Sequence, residues 1–191
     1  MAFVGVVGVL LVLAAGAKFV RNNTKFTAAD LVAVSSSEGC FSVRMPGQMS
    51  KTTENGAPGT GVRVHSLKSE LKLKKCGFMV AYYDLPEGVR EADLGDEIYQ
   101  LLTMEFQGLV EAIPNPKQRK GEIEELEFQD QPAVQGVVTS KKENRKITIR
   151  VVMREQSRVY ILLYEAWHDS YDPAIEKAFF DSFEMDGDLP E

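Results

Sequence analysis

The sequence predicts an α+β fold: a mainly antiparallel sheet of about six to seven strands with helices packed on it, an α-β-α sandwich, preceded by one N-terminal hydrophobic helix. Three observations predict it. Short stretches of alternating apolar and polar residues succeed one another through turns too short for crossover helices. Two stretches carry apolar residues at three- and four-residue spacing instead. And from Ala2 to Ala17 the chain holds sixteen residues without a charge. The division that follows is residues 1–25 as a signal peptide or membrane anchor with a short linker, and 26–191 as a single α+β domain.

Taken in order, "CFSVRM" alternates Phe41, Val43 and Met45 with Ser42 and Arg44, a half-buried strand stopped by Pro46-Gly47. The polar, Gly- and Pro-bearing stretch 50–61 reads as a loop. "VRVHSLKSELKLKK" reads as a long strand. Its apolar positions change parity between Val64 and Leu67, which predicts a bulge near His65-Ser66. "CGFMVAYYDLP" is apolar at nearly every position, so it belongs at the centre of the sheet. The stripe Leu94, Ile98, Leu101, Leu102, Phe106, Leu109 and Ile113 predicts one helix over 91–113, ended by Pro114. Strands at 122–128 and 133–141 follow. The strongest hairpin is "RKITIRVVMREQSRVYILLYEAW", with its turn at Glu155–Ser157. Asp172 caps a last helix opened by Pro173, with Ile175, Ala178, Phe179, Ser182 and Phe183 facing inward, and "DGDLPE" is a frayed tail.

The N-terminal segment decides placement. A spanning helix needs about 20 apolar residues, and a signal peptide a core of about 7–15 followed by small residues at the cleavage site. Ala15 and Ala17 supply those small residues, so export with cleavage, or an outward-facing anchor, is the expected placement. The basic residues Lys18, Arg21 and Lys25 follow the apolar run, which by the positive-inside rule supports the alternative, an anchor holding the domain in the cytoplasm. Of the 22 basic side chains these three precede the first acidic residue, Asp30. The domain therefore holds 19 against 28 acidic side chains, a net of −9. Such a domain repels phosphate backbones and anionic lipid, so neither a nucleic-acid partner nor polybasic membrane binding by the domain is expected.

Cys40 opens the first strand and Cys76 leaves the next long one. If those strands form neighbouring members of a meander, the two Cα atoms fall within the roughly 4.4–6.8 Å of a disulfide. Such a bridge would close about 37 residues and add about 3–4 kcal/mol. Two separate buried thiols are the alternative. The rest of the chain points to no catalytic residue, no metal and no cofactor. His168 and Asp169 are adjacent on an expected strand end and so point apart, no serine sits in a nucleophile elbow, and "DGD" at 186–188 lacks the distal Glu of a calcium loop.

With the strand order in place, the chain resembles the PsbP-like superfamily, named for the lumenal extrinsic protein of photosystem II. The residues that carry the resemblance are "EGCFSVRMPG", "FMVAYYDLP", the mid-chain helix, the paired strands from 122 to 164, and "AFFDSFEM". It is similar in particular to short, N-terminally anchored or exported bacterial members without assigned activity. The resemblance implies an α-β-α sandwich over about residues 35–185 and a binding or assembly role at a membrane surface. The expected function is thus a non-enzymatic binding domain, with a protein partner at the membrane and the membrane itself engaged by the N-terminal segment. A small enzyme using His65 or His168 with an acidic partner, and a cytoplasm-facing adaptor, are the alternatives.

Overall fold

The computed structural model describes residues 26–56, 60–90, 94–95, 97–113, 123–140 and 144–189. The expectations for the N-terminal hydrophobic helix and for cleavage near Ala15 and Ala17 lie outside them. Among the described residues no helix is long and apolar enough to cross a membrane.

The strands are β1 (Val32–Ser36), β2 (Phe41–Met45), β3 (Ser50–Asn55), β4 (Arg63–Leu71), β5 (Cys76–Asp84), β6 (Glu124–Phe128), β7 (Gln131–Ser140), β8 (Arg145–Arg154), β9 (Arg158–Trp167) and β10 (Glu184–Met185). The helices are α1 (Glu87–Arg90), α2 (Glu97–Ala112) and α3 (Pro173–Asp181). Seven strands make one sheet in the order β3-β4-β5-β9-β8-β7-β6, and β1-β2-β10 make a second, small one. Every pairing is antiparallel.

The large sheet is covered on both faces, which explains its sequence. Along β9, Val159, Ile161 and Leu163 join the core under α2, whereas Tyr160, Leu162, Tyr164 and Ala166 join the core under α3 and the small sheet. β5 divides the same way and sits third in the order, so its unbroken apolar run is that of a strand without a solvent face. The layers are therefore α2, the seven-stranded sheet, and α3 beside the small sheet.

Four expectations are corrected. Residues 50–55 form the edge strand β3, not a loop: their side chains are exposed, but their backbone pairs with β4 from Ser50–Lys68 to Asn55–Arg63. β4 has no bulge, because its register with β5 runs unbroken from His65–Tyr82 to Leu71–Cys76. The parity change reflects two covered faces, with Val64 in one core and Leu67 in the other. The mid-chain helix begins only at Glu97, since Gly95 takes φ +43°, a conformation that halts a helix. Finally, the tail is held: β10 pairs with β2, and the Asp186 amide donates to the Cys40 carbonyl at 2.9 Å.

Gln129 and Asp130, both at positive φ, form the two-residue turn that twists β6 onto β7. Asp172 caps α3 as its sequence implies, its Oδ1 accepting from the Ala174 amide at 2.9 Å with Pro173 in the first turn.

Candidate functional site

The two ends of the large sheet carry the polar chemistry, and they differ. At one end the β4–β5 turn (Lys72–Lys75), the start of β8 and the 168–172 loop come together, because Cys76 pairs with Ala166 and Arg145 with Trp167. Between the turn and the loop opens a cleft of about 360 Å³, lined among others by Phe26, Lys74, Cys76, Asp169, Tyr171 and Asp172. Phe26 is the first described residue, so the N-terminal segment joins the domain here.

Several polar groups of this cleft have structural roles. Asp172 is occupied as the cap of α3. Asp169 lies 3.6 Å from Lys75, whose Nζ also stands 4.9 Å over the Trp167 ring. Lys146 sits 3.7 Å over the Tyr171 ring and 3.5 Å from Glu176, which in turn accepts from the Thr148 hydroxyl at 2.8 Å. Burial pushes the Cys76 thiol up to about 12, so it stays protonated and a poor nucleophile. His168 is exposed and is positioned through its backbone amide, which donates to the Asn144 carbonyl at 2.8 Å.

The opposite end is a clamp. Arg154 and Arg158 face each other across the β8–β9 turn, a like-charge pair that only added acceptors make tolerable. Arg158, 2% exposed, is bidentate to Asp84 at 2.6 and 3.0 Å and donates to the Glu38 carbonyl at 2.9 Å. Arg154 donates to the carbonyls of Cys40 (3.5 Å), Asp186 (3.4 Å) and Gly187. The Tyr160 hydroxyl donates to the Gly39 carbonyl at 2.9 Å, and burial raises its pKa. These contacts pin the β1–β2 turn and the chain end onto the sheet. His65 lies at this end too, stacked on Tyr82 with centroids 5.0 Å apart and 3.5 Å from Glu38, whose side chain is 72% exposed. The two histidines thus sit at opposite ends of β5, and neither lines the cleft.

The expected Cys40–Cys76 disulfide is corrected by the same geometry: both cysteines are free and buried. Cys40 lies in the β1–β2 turn at the clamp, its Sγ donating to the Asp188 carbonyl at 3.2 Å, while Cys76 begins β5 at the cleft. Roughly 20 Å of strand separates the two ends, well beyond disulfide reach. The expectation failed because β2 is not in the large sheet at all, so the meander it assumed does not exist. The clamp residues went unread in the sequence. Their one signal was the pair Arg154 and Arg158 flanking a turn among apolar neighbours, which requires buried acceptors.

Among the described residues no cluster of three or more His, Cys, Asp or Glu is placed to hold a metal. No family model matches the chain, and no curated protein matches it. The fold is matched by the solution structure of cyanobacterial PsbP (CyanoP) from Synechocystis, at 16% identity and a TM-score of 0.51, over 82% of this chain and 93% of that one. The chain therefore has the PsbP-like fold: an antiparallel seven-stranded sheet covered on both faces.

Proposed function

We propose that the chain is a non-enzymatic binding or assembly domain, held at or exported across a membrane by its N-terminal segment, with a protein partner at that membrane. The observation that carries the reading is the commitment of the cleft's polar groups: Asp172 caps a helix, Asp169 pairs with Lys75, and the Cys76 thiol is protonated. A catalytic cleft needs a base and a nucleophile free to face the substrate. The likeness to cyanobacterial PsbP supports the fold on which this rests.

The test is native electrophoresis of detergent-extracted membranes carrying the wild-type chain or His65→Gln/His168→Gln. The reading expects migration in a larger assembly and an unaltered biological activity in the double variant. Activity lost with the assembly intact would establish an enzyme instead. A second reading, a cytoplasm-facing anchored adaptor, is favoured by the two free thiols and by Lys18, Arg21 and Lys25 after the apolar run.

A further inference from the structure

The tether and the sheet share an end. Phe26, where the N-terminal segment meets the domain, lies in the cleft beside Lys74, and its ring stands 6.3 Å from that of Phe78. At the same end Trp167, the single tryptophan of the chain, is 38% exposed at the tip of β9. Its amide donates to the Lys75 carbonyl at 3.0 Å while the Lys75 ammonium lies over its ring. An exposed indole backed by a lysine is the pairing found where protein meets the headgroup layer, the ring entering the interface and the cation reaching phosphate.

Charge is arranged to match. Three acidic groups at this end are countered, Asp169 by Lys75, Glu165 by Arg145 at 3.0 Å and Glu176 by Lys146, while Asp172 caps α3 and Glu70 stands exposed. Lys72 and Lys75 stand exposed on the turn. Around the clamp, at the far end of β5 and β9, Glu155 and Asp84 are countered by Arg154 and Arg158, and Glu87, Asp186 and Asp188 add exposed acid. The net of −9 is therefore polarised, and the average that argues against membrane contact does not describe this end. The tether is also short. From Lys18 to Lys25 eight residues can span at most about 29 Å, which keeps the turn at an effective millimolar concentration over an anchoring bilayer.

We infer that the domain rests cleft-end down on anionic lipid, with Trp167 in the headgroup layer, Lys72 and Lys75 on lipid phosphates, and the clamp end turned away toward partners. This deepens the proposed function and rests on its membrane attachment. The test uses the full chain in vesicles of phosphatidylcholine with or without phosphatidylglycerol, each carrying a nitroxide-headgroup lipid. Flotation reads attachment, and emission from the sole tryptophan reads orientation. In anionic vesicles the emission shifts to the blue and is quenched; both effects shrink at about 1 M salt, where screening reaches about 3 Å. Each charge removed in Lys72→Gln and Lys75→Gln weakens surface contact about fivefold, while flotation persists. A chain that floats with unquenched, water-exposed tryptophan overturns the orientation alone. One that does not float overturns the attachment and the orientation with it. Shielding of Trp167 only in native, protein-containing membranes would assign this end to a protein partner and overturn the lipid assignment.

Discussion

One buried carboxyl gives the fold a pH response. Glu105 on α2 is 5% exposed, and its Oε1 has no hydrogen-bond partner among the described residues. Burial lifts its pKa from 4.5 to about 7, against a smaller lowering by the Tyr83 hydroxyl. A carboxyl raised in this way keeps its proton in the fold at pH values where the unfolded chain has lost it. Stability therefore falls as pH rises from about 4.5 to about 7 and levels off above. Glu105→Gln should remove that slope and be more stable at pH 8, by up to about 3 kcal/mol, read from urea midpoints at pH 5 and pH 8. The clamp gives the opposite kind of prediction. Arg158→Met deletes the ligand of Asp84 and of the Glu38 carbonyl and should cost about 1–3 kcal/mol, discounted because Asp84 is half in water. Residues of this class were hard to read. The sequence shows Arg158 beside a turn, but its acceptors lie 74 and 120 positions away, and no local pattern joins them.

At the scale of elements, packing of α2 on the sheet depends on one absent side chain. A Cβ at Gly136 of β7 would lie 2.5 Å from the Phe106 ring, so Gly136→Ala should push the helix outward and cost about 1–3 kcal/mol in chemical denaturation. The final residues test the clamp as a unit. Removing 184–191 strips Arg154 of the Asp186 and Gly187 carbonyls and β2 of its β10 partner. The truncated chain should lose about 2–4 kcal/mol, and adding Arg154→Met should recover part of it, since a buried cation stripped of two of its acceptors costs more than an apolar side chain there. Strong local periodicity made β2, β5, the β8–β9 hairpin and α3 legible from sequence. The exposed strand β3, "SKTTEN", was not, because an edge strand with no buried face has no alternation to show. β1 was missed for the same reason: its residues are mostly exposed or half-buried, and its partner β2 alone defines it.

For the whole molecule, layer order was legible and sheet membership was not. Alternation predicts which residues are buried; it does not say that β2 leaves the large sheet to pair with β1 and β10 over its face. That single difference separates the cysteines, gives the molecule two distinct ends, and puts Phe26 at one and residues 186–188 at the other. It also limits how much of the site the sequence could show, since the cleft is made by a turn, a loop and Phe26, which meet only through the fold. We propose that this domain works at the outer face of a membrane. The most direct test labels the full-length Lys51→Cys variant, whose new thiol lies on the exposed strand β3, with a membrane-impermeant maleimide in intact, sided native membranes. The native thiols are buried and serve as the internal blank. Labelling from the outer side before any permeabilisation is the predicted result; a thiol reached only after the membrane is breached would contradict it and turn the search to intracellular partners.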